Sequence, residues 1–109
     1  AAHRLPMVPP DHKCARLHGH SFRVEVCVSG DVDARTGWLM DFSAITAVVE
    51  PLLKSELDHR TLNDVAGLEN PTSEVLCGWL WGRLQAHFPG LSAVTVHETC
   101  TARCTYRGT

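Results

Sequence analysis

The feature that most constrains the fold is a pair of histidines at the start of an alternating run. The pair is His18-Gly19-His20, and apolar residues follow at positions 22, 24, 26 and 28. A period of two predicts a half-buried β-strand, from about His18 to Ser29. Same-face residues in a strand lie about 6.6 Å apart at Cα, twice the ~3.3 Å rise per residue. The two imidazoles can therefore converge on one ion, although so short a motif also occurs at ordinary strand ends.

A third histidine, His3, is a candidate ligand for the same ion. It precedes a proline-containing loop at positions 6–13, and a loop of this kind can bring His3 near His18 and His20. Three neutral protein ligands leave a fourth position open, which is the pattern of catalytic zinc. Affinity alone does not exclude cobalt, nickel or iron at such a site.

Cys14 allows three interpretations. As a fourth metal ligand, it would close the site and make it structural. As a thiolate beside a metal, it would serve as a base or a nucleophile. As a small buried cysteine, it would have no chemical role. The residues alone leave these alternatives open.

Two other places in the chain carry candidate functional residues, an acid–base pair and a single carboxylate. Asp58 and His59 can act as a pair only on a turn, because adjacent side chains diverge in regular structure; the alternative is an ordinary polar loop. Glu98 continues the apolar face of Val94 and Val96. A carboxylate there is either at a solvated strand end or retained for a function, since unpaired burial is costly.

The remaining pattern predicts two helices and two more strands. A short strand from Trp38 to Phe42 would form a hairpin with the first strand. Ser43 would cap a helix that Pro51 interrupts. Thr72 would cap a second helix, which Pro89-Gly90 ends. The last strand is expected over about Ser92–Thr101.

These elements predict an α+β domain in which two amphipathic helices pack on one face of a small antiparallel sheet. A sheet this small and open is often completed by oligomerisation. A length of 109 residues suits one domain.

Charge and cysteine content narrow the class of protein. The net charge of −2 and the lack of a Lys/Arg block argue against a nucleic-acid partner. The sequence contains no apolar run long enough for a membrane span. Five cysteines, an odd number without a C-x-x-C motif, indicate reduced thiols and a cytoplasmic protein.

Several motifs along the chain resemble those of one known family. They occur in the family's order: Ala-Ala-His3-Arg-Leu, Cys14 before His18-Gly-His20, Gly37-Trp-Leu-Met-Asp-Phe42, Leu57-Asp-His-x-x-Leu-Asn63, Asn70-Pro-Thr-Ser-Glu74 and Glu98-Thr followed by Tyr106-Arg-Gly108. Together they cover nearly the whole chain, and they are similar to those of the 6-pyruvoyltetrahydropterin synthase family. The short Cys14–His18 spacing resembles the branch of the family that forms a 6-carboxy product.

The resemblance implies a tunnelling fold (T-fold), in which a four-stranded antiparallel sheet carries two helices on one face. Sheets from three subunits would join into a barrel, and two trimers would stack into a homohexamer with active sites between subunits. It also implies that residues 1–109 form a single domain of this kind from which most of the family's first strand is absent.

The resemblance also implies roles for the candidate residues. Zinc would bind His3, His18 and His20. Cys14 would be the catalytic base, Asp58 and His59 a proton relay, and Glu98 the anchor of the pterin ring. The substrate would be 7,8-dihydroneopterin triphosphate. The products would be 6-carboxy-5,6,7,8-tetrahydropterin, acetaldehyde and triphosphate, in queuosine biosynthesis; a pyruvoyl-forming reaction or a non-catalytic pterin-binding module are the alternatives.

Overall fold

The computed structural model describes residues 1–98 and 102–109, which contain two α-helices and five β-strands and confirm the α+β class. In chain order the elements are β1 (Ala2–His3), β2 (His18–Gly19), β3 (Arg23–Val28), α1 (Phe42–Glu56), α2 (Ser73–Leu84), β4 (Leu91–His97) and β5 (Arg103–Tyr106).

The strands form two antiparallel sheets rather than the single four-stranded sheet that we expected. β1 pairs with β2, and β4 lies between β3 and β5. The predicted strand from His18 to Ser29 is divided because the chain changes partners on the way. The His20 N–H donates to the carbonyl of Ala1 at 3.0 Å, whereas Arg23 already lies opposite His97.

The predicted strand from Trp38 to Phe42 is wrong, because the preceding residues fold back on themselves. The Asp33 carboxylate accepts hydrogen bonds from the backbone N–H groups of Arg35 and Thr36 at 2.7 and 3.1 Å. Gly37 has a φ of 76° and donates to the Asp33 carbonyl. These local bonds make a compact turn, so no hairpin with β3 forms, and Phe42 opens α1 instead.

Helix α1 differs from the prediction at its start and near its middle. Asp41, not Ser43, is the N-cap, and its carboxylate accepts from the Ser43 N–H at 2.9 Å. The helix continues through Pro51, where we expected an interruption. Pro51 lies on the exposed side, and apolar side chains on either side of it pack against the core. Their burial offsets the one backbone hydrogen bond that a proline removes.

Helix α2 supplies much of the core and confirms the predicted cap. The Thr72 hydroxyl accepts from the Val75 N–H at 3.1 Å. A leucine stripe on the helix is buried against the sheet, where it meets Val94 and Val96 of β4. The buried stripe consists of Leu76, Leu80 and Leu84. Both helices contribute to this one cluster, α2 with fully buried side chains and α1 with partly buried ones.

The C-terminal part differs from the predicted strand over Ser92–Thr101. β4 ends at His97, and residues 99–101 lie outside the described part of the chain. β5, which we did not predict, follows and pairs with β4. The Glu98 N–H donates to the Ala102 carbonyl at 2.9 Å, so Glu98 lies just beyond the end of the central strand β4.

Candidate functional site

Three predicted ligands meet where β1 pairs with β2. His3 lies directly opposite His18 in the register, and His20 follows β2 on the same side as His18. The imidazole centroids are 4.6 Å apart for His3 and His18, 5.1 Å for His3 and His20, and 4.7 Å for His18 and His20. One ring nitrogen from each lies within 4.8 Å of the others. The spacing of two thus brings both strand histidines to one point, as predicted.

Hydrogen bonds to the backbone orient two of these rings. His3 Nδ1 lies 2.8 Å from the carbonyl oxygen of Pro71, and His18 Nδ1 lies 2.7 Å from that of Arg16. Because a carbonyl only accepts, each Nδ1 carries the proton and each Nε2 keeps its lone pair. Metal-binding histidines are commonly oriented in this way. Neither carbonyl was identified from the sequence, since peptide oxygens leave no signal in residue type.

The donor set fits a metal ion. His3 is 1% exposed, and its Nε2 is buried without a hydrogen-bond partner. A buried polar atom without a partner is destabilising unless something binds it. Imidazole nitrogens are ligands for zinc and for related divalent metals. The three residues would hold such an ion through ring nitrogens and leave further coordination positions open.

The His20 environment favours the neutral, metal-binding form of the ring. Burial lowers the pKa of His20 below its ordinary value, and the neighbouring His18 and His3 act in the same direction. The Glu98 carboxylate opposes this effect. Because metal ions bind the unprotonated ring, a lowered pKa reduces competition from protons.

Cys14 lies in a short 3-10 turn over Lys13–Ala15 and is partly exposed. Its N–H donates to His12 Nδ1 at 3.0 Å, and its carbonyl accepts from the Leu5 N–H at 2.7 Å. The turn is therefore attached to the segment that leaves β1. The group of mutually close metal-binding atoms in the described chain contains the three histidines but not the Cys14 sulfur.

Asp58 and His59 lie on a turn after α1, as their adjacency required. Asp58 Oδ2 is 3.1 Å from His59 Nδ1, and His59 has a left-handed φ of 57°. Both side chains line a groove of about 510 Å³ that also reaches His20 and Phe22. The acid–base pair and one candidate metal ligand thus face the same space within one chain.

Glu98 lies beside the histidine cluster. Its Oε1 is 3.8 Å from His3 Nε2, and the side chain is 25% exposed. The carboxylate is therefore accessible to a ligand. It could accept hydrogen bonds from a molecule that also reaches the three histidines.

Neither helix in the described part of the chain has both the length and the apolar character needed to cross a bilayer.

Comparison with known proteins identifies relatives with similar sequences. A protein of Synechocystis sp. named 6-carboxy-5,6,7,8-tetrahydropterin synthase is 49% identical over 111 residues, covering 97% of this chain and 84% of that protein. A dihydroneopterin monophosphate aldolase of Pyrococcus furiosus is 42% identical over 74 residues, which cover 68% of this chain and 60% of that protein.

The fold also has a solved counterpart. The structure of Caenorhabditis elegans 6-pyruvoyl tetrahydropterin synthase superposes with a TM-score of 0.88 at 27% identity, covering 99% of this chain and 88% of that one. The profile of the family described as 6-pyruvoyl tetrahydropterin synthase matches residues 1–109, the whole sequence. With its histidine cluster, its fold and these relatives in agreement, the chain belongs to the 6-pyruvoyl tetrahydropterin synthase family.

Proposed function

We propose that this protein is a zinc-dependent lyase, a 6-carboxy-5,6,7,8-tetrahydropterin synthase. It converts 7,8-dihydroneopterin triphosphate and one water molecule to 6-carboxy-5,6,7,8-tetrahydropterin, acetaldehyde and triphosphate in the cytoplasm, as a step of queuosine biosynthesis. The observation that carries the proposal is the three-histidine cluster with its unpartnered His3 Nε2. The 49% identity to a relative of that name supports this branch of the family.

His3, His18 and His20 would hold the metal. The buried His3 and the backbone bonds at Nδ1 of His3 and His18 restrict ring movement, which preorganises the site. When bound, zinc supplies Lewis-acid chemistry that makes a coordinated hydroxyl and the adjacent C–H bond more acidic.

Cys14 is the proposed general base. Its thiolate removes a proton from the acidified carbon of the substrate side chain. The Cys14 carbonyl accepts from the Leu5 N–H, and this bond holds the turn against the segment that follows His3 in the chain. The Cys14 sulfur is outside the set of mutually close metal-binding atoms, which favours a role as base over a role as ligand.

Asp58 and His59 form the proposed relay that returns a proton during tautomerisation. Asp58 Oδ2 lies 3.1 Å from His59 Nδ1, and this ion pair would orient the His59 ring. His59 Nε2 is then the atom that exchanges protons with substrate. The groove that Asp58 and His59 share with His20 supports this role within one chain. The exposed pair would equally serve the active site of a neighbouring subunit.

Glu98 is the proposed anchor for the pterin ring. An aminopyrimidinone presents adjacent N–H donors, which match the two oxygens of a carboxylate. The closeness of Glu98 to His3 supports binding of the pterin ring by the carboxylate while the substrate's side chain lies at the three histidines.

A homohexamer, a dimer of trimers with active sites between subunits, is the proposed assembly. Phe42 is 84% exposed, Val32 is 64% exposed and Trp38 is 49% exposed, which is unusual for large apolar side chains close together in sequence. β3 and β5 are the edges of the three-stranded sheet. Strand pairing between subunits would cover such edges and extend the sheets into a barrel.

Product analysis tests the proposal. Zinc-loaded protein is incubated with 7,8-dihydroneopterin triphosphate, and acetaldehyde and the mass of the pterin product are measured. We expect acetaldehyde and the 6-carboxy product in equal amounts. A pyruvoyl product without acetaldehyde would instead assign the sister reaction. Turnover of dihydroneopterin monophosphate alone would assign the aldolase reaction, and pterin binding without turnover would indicate a binding module.

A further inference from the structure

The side chain of Asn63 binds both backbone groups of Arg4. Its Oδ1 accepts from the Arg4 N–H at 3.0 Å, and its Nδ2 donates to the Arg4 carbonyl at 2.9 Å. Nδ2 also lies 3.3 Å from the carbonyl of Glu69, to which it donates a second hydrogen bond. This one carboxamide thus pairs with both backbone groups of Arg4, as a neighbouring β-strand would. It also links Arg4 to the segment that contains Glu69.

Both segments that Asn63 binds lead directly to His3. Arg4 follows His3 in the chain, so the hydrogen bonds at Arg4 restrain the backbone of β1. Glu69 lies two residues before Pro71, whose carbonyl accepts from His3 Nδ1. Asn63 therefore connects the backbone that carries His3 to the segment that orients its ring.

The segment that contains Asn63 also carries the acid–base pair. Leu57 and Leu62 are 7% and 1% exposed, and they anchor this segment in the core on either side of Asp58 and His59. The Ala2 N–H donates to the Arg60 carbonyl at 3.0 Å, which gives a second connection to β1. Movement of Asn63 would consequently change the position of His59 relative to His3.

We propose that Asn63 is a positioning residue for the metal centre, acting through Arg4 and Glu69 on His3. The inference rests on the metal site of the proposed function. Asn63 itself contacts neither metal nor substrate in this role. Its carboxamide sets where the His3 imidazole stands relative to His18 and His20, and so how tightly the three rings bind one ion.

The test compares metal binding in Asn63→Asp with that of the wild-type protein. The new carboxylate keeps an acceptor for the Arg4 N–H but places an oxygen against the carbonyls of Arg4 and Glu69, where a donor is needed. Zinc affinity is measured by competition with a chromogenic chelator, and the visible spectrum of the cobalt(II)-loaded protein reports ligand geometry. We expect affinity to fall by roughly 10-fold, as for other residues that orient metal ligands, with a changed cobalt spectrum.

Three further variants separate positioning from general stability. Asn63→Ala removes the carboxamide without introducing a charge and should also weaken zinc binding. Asp64→Asn, at the exposed neighbouring position, should bind zinc like the wild type. Leu84→Val, in the buried stripe of α2, should lower the melting temperature of the metal-free protein but leave the cobalt spectrum unchanged.

The outcomes distinguish the inference from the proposed function. A wild-type protein that binds no zinc would overturn the metal site itself. Normal zinc binding by the wild type and by both Asn63 variants would overturn only the positioning role. A loss of affinity in Leu84→Val as large as in the Asn63 variants would also overturn it, because the effect would then follow stability rather than the Arg4 and Glu69 contacts.

Discussion

The Nδ1 atom of His3 lies 2.8 Å from the carbonyl oxygen of Pro71, a residue 68 positions later in the chain. This hydrogen bond connects β1 to the residue just before the Thr72 cap of α2. It assigns the proton to Nδ1 and leaves the buried Nε2 directed at the other two histidines. The position of a candidate metal ligand thus depends on the packing of a distant helix.

Replacing His3 tests this arrangement. His3→Gln should reduce zinc affinity by more than the ~10–100-fold expected for loss of a supporting residue, because a direct ligand is removed. Equilibrium dialysis with zinc measures the change. His87→Gln, which alters an exposed histidine, is the matched control and should bind zinc normally. Undiminished zinc binding by His3→Gln would remove His3 from the site.

Cys14→Ala tests whether the thiol is a base or a ligand. We expect the variant to keep one zinc per chain and to lose roughly 10²–10⁴-fold in kcat, the range for removal of a general base. Metal analysis and turnover are measured on the same sample. Cys27→Ala, at an exposed position on β3, should retain both properties. If Cys14→Ala lost its zinc, Cys14 would be a ligand and the proposed proton transfer would be wrong.

Glu98→Gln tests the pterin anchor. The change keeps the size of the side chain but removes a charged acceptor, a loss of about 1.5–3 kcal/mol for hydrogen bonds to a charged group. Pterin affinity should therefore fall by roughly 10–100-fold, while zinc content stays constant. Fluorescence titration with a pterin measures the change, and Glu69→Gln, with an exposed side chain, serves as control. Equal affinity in the two variants would exclude Glu98 from the ring site.

The buried thiol of Cys77 provides a test of the fold through its low reactivity. Burial raises the pKa of this thiol from 9.0 to about 12, and the adjacent Cys104 adds to the effect. Because the pKa of Cys77 is higher in the folded protein, the buried protonated thiol contributes fully to folding stability below pH 9. This contribution is lost as the pH rises towards 12. The scarce thiolate should also make Cys77 unreactive.

We therefore expect iodoacetamide at pH 8.5 to modify the exposed Cys27 of the native protein and to spare Cys77. Peptide mass spectrometry measures both rates, and unfolded protein is the control in which both cysteines react. Equal rates in the native protein would contradict the packing of α2 against the sheet.

The sequence was most informative where residue type and period act locally. The period of two before Phe22 was sufficient to bring His18 and His20 to one side, and Thr72 was recognisable as a cap because its hydroxyl serves residues nearby in the chain. The α+β class followed from the same patterns.

Long-range contacts explain most of what the sequence could not predict. The change of partner between β2 and β3 depends on Ala1 and His97, which are far apart in sequence. The compact turn around Asp33 is an exception, because local hydrogen bonds form it where the apolar pattern at Trp38 and Leu39 predicted a strand. The carbonyl of Pro71 and the carboxamide of Asn63 act through positions that only the folded chain defines.

The most direct measurement is acetaldehyde release from 7,8-dihydroneopterin triphosphate by metal-free protein titrated with zinc. We predict that release is absent without metal, rises in proportion to added zinc and reaches a plateau at one zinc per chain. The 6-carboxy product should rise in parallel. Acetaldehyde release by the metal-free protein at the same rate, or zinc saturation without any release, would contradict the proposed zinc-dependent function.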